Sequence, residues 1–203
     1  MLIGSCLNIL LFFALYLPIY YRFGEHLLVT LLLYYLTILF LLAFPTHFLF
    51  EWFPGQITAI FFPVNESLME HLKMIFTNYF IFYSFLFILR KPLKLNNVYL
   101  TMLIGSCFNI LLFFALYLPI YYRFGEHLLV TLLLYYLTIL FTEWLVCPIL
   151  YKKEKKELEI TSIVVIPLLF FILAYFTFNP LKNPFFFDPI KEAYGLNQGL
   201  SSK

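Results

Sequence analysis

Long apolar runs broken by short polar punctuation dominate the chain. A spanning helix needs about 20 mostly apolar residues. Leu2 to Tyr21 is the first such run, and Arg22-Phe23-Gly24-Glu25-His26 ends it. The second runs from Leu27 to about Phe53, with Pro45 inside it, and Pro54-Gly55-Gln56 marks a turn. Ile57 to Phe62 is apolar but too short to span, so it is expected at the interface or as a re-entrant piece. The third run spans Asn65 to about Leu89, with Asn65 as N-cap and Ser67-Leu68-Met69-Glu70 as a capping box. Val98 to Tyr122, Leu128 to Leu150 and Ile160 to Phe178 follow, and the tail from Asn179 is too rich in Pro to span.

These runs predict an all-α, polytopic transmembrane helical bundle of about five core spans plus one extra N-terminal span. The expected organisation is residues 1–40 as an added segment, 41–178 as the helical domain and 179–203 as a Pro/Phe-rich tail. The extra segment stands apart because Met1 to Phe40 recurs as Met102 to Phe141, with Leu7 against Phe108 the sole mismatch. Repeats in transporters are usually weak in sequence. Near-identity fits a recent duplication or an assembly artefact better. The first run has no basic stretch before it and no cleavage site after it, so it reads as a retained membrane segment.

Composition supports lipid as the solvent. The chain is 63% hydrophobic and 12% charged, about half the charge of an ordinary soluble domain. Membrane lipid is therefore the expected partner. The net charge of +2 gives no reason to expect nucleic acid. Cys6, Cys107 and Cys147 form no C-x-x-C pair. Basic residues cluster in alternate loops, as Arg90, Lys91 and Lys94, then Lys152, Lys153, Lys155 and Lys156. The positive-inside rule puts those loops in the cytoplasm. It puts His47, Glu51, Asn65 to Lys73, Glu126, His127 and Asp188 on the outer side.

That outer set holds the candidate chemistry. His47 and Glu51 are four residues apart, as are Glu66 and Glu70, so each pair shares a helix face. The cluster is expected to bind a divalent metal or a polar small ligand; the expected metal ligands are His47, Glu51, Glu66, Glu70, His71 and His127, for a divalent transition metal such as zinc. Glu66 and Glu70 are the catalytic candidates, as the base that activates a metal-bound water for hydrolysis. Two other readings stand beside this one. The same carboxylates could pass a cation or a proton inward toward Glu143, or they could only cap and pack helices, with Lys73 neutralising Glu70. No H-E-x-x-H motif, phosphate loop or nucleophile elbow occurs.

Two segments carry a family resemblance. His47-Phe48-Leu49-Phe50-Glu51-Trp52 and Val64-Asn65-Glu66-Ser67-Leu68-Met69-Glu70-His71-Leu72-Lys73 resemble the H-F-x-Y-E-W and V-N-E-S-x-W-E-H-L-K motifs of an uncharacterised family of small bacterial multi-pass membrane proteins. Phe50 and Met69 depart from that pattern. The tail from Phe178 to Gly195 is similar too. The resemblance covers about Leu41 to Leu196. It implies a helical membrane fold and the bacterial cytoplasmic membrane, and it brings no activity with it.

Overall fold

The structure, a computed structural model, describes residues 27–125 and 127–196. The extra N-terminal span expected at Leu2 to Tyr21, and Glu126, lie outside the described residues. Among the described residues six helices follow one another: α1 (Leu27–Trp52), the short α2 (Gln56–Phe61), α3 (Leu68–Leu89), α4 (Val98–Phe124), α5 (Leu128–Val146) and α6 (Lys156–Phe178). A 3-10 turn (Cys147–Tyr151) continues α5 and another (Pro184–Phe186) opens the tail. The tail ends in a two-residue antiparallel ladder of β1 (Phe187–Asp188) and β2 (Ala193–Tyr194), pairing Phe187 with Tyr194 and Asp188 with Ala193.

Among the described residues, four helices are long and apolar enough to cross a membrane: α3, α4, α5 with its 3-10 extension, and α6. The apolar α1 packs beside them, against α3 and α5. The chain is an integral membrane protein with an all-helical bundle fold. Its outer surface is apolar, with Ile88 75%, Phe171 70% and Leu111 69% exposed. Its interior is partly polar, with Thr101, Asn109, Thr142 and Glu143 fully buried. Water would reward the opposite arrangement, whereas hydrocarbon rewards this one.

The helices alternate in direction, so the bundle has two distinct ends. One gathers the end of α1, all of α2, the start of α3, the α4–α5 turn and the tail. The other gathers the α3–α4 and α5–α6 loops with their basic residues. Close packing between α3 and α4 depends on Gly105, where a Cβ would lie 3.0 Å from a Tyr79 ring carbon. Small residues at such crossings let helices approach. Phe170 of α6 receives Phe61, Phe76 and Phe80 in edge-to-face contacts with centroids 4.9–5.2 Å apart, within the favoured range.

Element boundaries differ from the sequence reading in physically simple ways. The helix expected from Asn65 starts at Leu68, because Ser67 and not Asn65 is the N-cap, accepting from the Glu70 amide at 3.4 Å. Asn65 instead closes a turn onto the Ser67 amide at 2.9 Å. Pro148 has no amide hydrogen to continue α5, and the chain tightens there into a 3-10 turn. Helix α6 starts four residues earlier than expected. Glu159 in its first turn accepts from the Tyr99 and Leu100 amides, both at 2.9 Å, and so closes the open start of α4. The boundary drawn at residue 40 falls inside the continuous helix α1.

The tail is held by Gly195, whose φ is +60° and whose carbonyl accepts from the Asn65 amide group at 3.2 Å. A Cβ there would sit 2.7 Å from both Pro180 Cγ and the Thr177 carbonyl oxygen. Gly195→Ala is therefore expected to cost at least about 1–3 kcal/mol and to detach the tail. Faster proteolysis between residues 179 and 196 in detergent, compared with wild type, checks this.

Candidate functional site

Three of the six expected ligands meet. His47 comes from the last turns of α1, Glu66 from the loop before α3, and His71 from the first turn of α3. The Glu66 Oε2 atom lies 3.3 Å from His47 Nε2 and 3.5 Å from His71 Nε2. One donor atom from each residue lies within 4.8 Å of the others. The imidazole rings of His47 and His71 stand edge to face, with centroids 5.5 Å apart. All three side chains are about a quarter exposed, at 24%, 27% and 26% for His47, Glu66 and His71.

The sequence sets this local geometry. His71 Nδ1 lies 2.9 Å from the Ser67 carbonyl oxygen. A carbonyl can only accept, so Nδ1 carries the hydrogen, and in the neutral ring the lone pair is on Nε2, which faces Glu66. An orienting bond of this kind is the usual companion of a metal-binding imidazole. Burial pushes the Glu66 carboxyl up. The hydrogen bond from His47 and the charges of His47, His71 and Lys191 outweigh that effect and hold it below the ordinary carboxylate value. Glu66 is thereby kept in the form that can ligate.

Glu51, Glu70 and His127 are not part of the triad. Glu51, one turn beyond His47 on α1, is exposed, as is His127 at the start of α5. Glu70 faces inward and is buried. Its Oε2 pairs with Lys73 Nζ at 2.6 Å and accepts from the Val64 amide at 3.2 Å, while its Oε1 accepts from the Thr177 hydroxyl at 2.7 Å. Lys73 is wholly buried and also donates to the Ala59 carbonyl and to Thr177 Oγ1, both at 2.8 Å. Its three ammonium donors are all used. Glu70 and Lys73 thus tie α2, α3 and α6 together beneath the triad. The capping box is only half formed, because the carboxylate that would reach back to Ser67 holds Val64 and Lys73 instead.

The family model for a family of unknown function (DUF6512) matches residues 26–196. The chain belongs to this family. The match takes in both motifs, all of α1 to α6 and the tail hairpin. No curated protein and no solved structure matches the chain.

A cavity of about 40 Å3 adjoins Glu66 and His71, walled by Phe113, Tyr117 and Tyr121 of α4, Thr131 of α5 and Phe187 of the tail. A water needs roughly 10–15 Å3, so the space is large enough for a small number of waters beside the triad. The sequence offered no sign of these walls, since they come from three separate elements. Asp188, placed on the outer side from the sequence, is buried, and its Oδ1 accepts from the Ile190 and Lys191 amides at 2.8 and 3.1 Å. It shapes the tail hairpin.

Lys73→Met is expected to lower stability by about 3–5 kcal/mol, the cost of leaving a buried carboxylate unpaired. The double variant Lys73→Met with Glu70→Gln should recover most of that loss. Thermal melts of the four proteins in one detergent test the pair. Equal melting points for the single and double variants would show that Glu70 and Lys73 do not act together.

Proposed function

We propose that the protein binds one divalent transition metal, zinc by ligand preference, through His47, Glu66 and His71, and that it does so in the bacterial cytoplasmic membrane. The spacing of the donor atoms carries this reading. Zinc–ligand bonds of about 2.0–2.1 Å in a tetrahedron imply donor–donor edges of roughly 3.3–3.4 Å. The edges from Glu66 are 3.3 and 3.5 Å. Two histidines and one carboxylate leave a fourth position, and the adjoining cavity supplies the space for it.

A metal with an open position lowers the pKa of a bound water to about 7 and so makes a nucleophile at neutral pH. Hydrolysis is the reaction class that this arrangement suits. Glu70 is committed to Lys73 and does not serve as the base, and Glu66 serves as a ligand. The aromatic cavity walls at the bundle end favour a substrate with an apolar portion lying at the membrane interface. The basic loops at the opposite end support an outward-facing triad.

The reading rests on metal content. Protein purified without a polyhistidine tag, soaked in zinc and desalted, should retain one zinc per chain by mass spectrometry. Glu66→Gln and His71→Ala should each lose more affinity than the roughly 10–100-fold typical of an outer-shell partner. Glu51→Gln and His127→Ala should keep it. Wild-type protein that retains no zinc would leave two imidazoles sharing a carboxylate, a purely structural arrangement. Orientation has its own check. Single cysteines at Gln56 and Lys155 should label from opposite sides of intact cells, Gln56 from outside; labelling from one side would overturn the assignment.

A further inference from the structure

A second polar site lies deep between α3, α4 and α5. Glu143 sits 15 residues into α5 from Leu128, roughly 22 Å along the helix from the triad end at 1.5 Å per residue. It is wholly buried. Its Oε2 accepts from the Tyr83 hydroxyl at 3.0 Å, and its Oε1 has no hydrogen-bond partner. None of the ion pairs among the described residues involves it. The Tyr79 hydroxyl lies beside Glu143 and Thr142 but closes no hydrogen bond. Asn109 of α4 donates to the Thr142 hydroxyl at 3.4 Å, and its own Oδ1 is buried without a partner. Tyr79 and Asn109 are both fully buried.

Three buried oxygens without a hydrogen-bond partner thus belong to side chains grouped about the Thr142–Glu143 turn of α5, with the Thr142 hydroxyl as a fourth oxygen. Each carries a desolvation cost of about 1–3 kcal/mol when left unsatisfied, and such groups call for a water or an ion. We propose that Glu143 Oε1, Tyr79, Asn109 and Thr142 form a membrane-buried binding site for a monovalent cation, sodium. Oxygen-only ligation selects a hard cation and disfavours the transition metals that imidazole holds. Charge selects its valence. Glu143 is the one carboxylate of this group among the described residues, so one positive charge leaves the site neutral, whereas a divalent ion would leave a net charge in hydrocarbon. An ionisable group inside a membrane is costly and marks a functional site by default, ion pathways among them. This site is independent of the triad in both residues and ligand class.

The test is thermal unfolding of the full chain in detergent, at fixed pH and ionic strength, in sodium chloride against choline chloride, with EDTA present to keep the triad empty. A saturating ligand at a hundred times its dissociation constant should raise the wild-type melting temperature by roughly 5 °C or more. Glu143→Gln should abolish the sodium-dependent rise, and Tyr79→Phe should move it to higher sodium concentrations. Equal wild-type melting temperatures in the two salts would overturn the proposal, as would an undiminished sodium response in Glu143→Gln. A wild-type shift that follows pH and ignores sodium would also overturn it and assign the site to a proton. The wild-type comparison decides even if a variant fails to fold.

Discussion

The buried ion pair between Glu70 and Lys73 is the constraint on which the rest of the outer end depends. An ammonium removed from water must find partners for all of its hydrogens, and Lys73 finds them on three elements at once: Glu70 on its own helix, Ala59 on α2 and Thr177 on α6. A short amphiphilic piece such as α2 has no length to hold itself in place. Its terminal carbonyls are instead capped by α3, through Lys73 on Ala59 and Thr77 on Phe61. Glu70 in turn grips the Val64 amide. The loop that presents Glu66 is therefore fixed from below before any ligand arrives.

That foundation explains why neighbouring acidic residues have opposite roles. Glu66 lies outside the helix, where it meets two imidazoles at the partly exposed rim. Glu70 lies one turn away and faces the core. The tail completes the enclosure, since Asn65 reaches Gly195 and Lys191 reaches the Val64 carbonyl at 3.4 Å. The rim is thus built from chain segments more than a hundred residues apart, on a base that spends its own charges internally.

Much of this was legible in the sequence. Apolar runs gave the helices to within a few residues, because lipid leaves the backbone few alternatives. The motif residues His47, Glu66 and His71 could be picked out as polar groups beside hydrocarbon. What pattern alone could not decide was which carboxylate faced where. Glu66 and Glu70 are four apart and look like one face of a helix, but the helix begins only after Ser67, so the spacing rule did not apply across that boundary. His127 shares the end of the bundle with the triad without joining it. The Glu143 surroundings were equally hidden. Its neighbours Tyr79, Tyr83 and Asn109 read as ordinary apolar-helix residues until packing brought them together.

The Ser67 carbonyl accepts two bonds from one residue, the His71 amide at 3.1 Å and the His71 ring at 2.9 Å. The imidazole is therefore indexed to the helix start as a cog is to its shaft. One residue inserted within that first turn would rotate the ring by about 100° and carry it away from Glu66. The loop upstream of Asn65 is under no such phase condition. Length variation in this family should therefore be tolerated between α2 and Asn65 and excluded between Ser67 and His71.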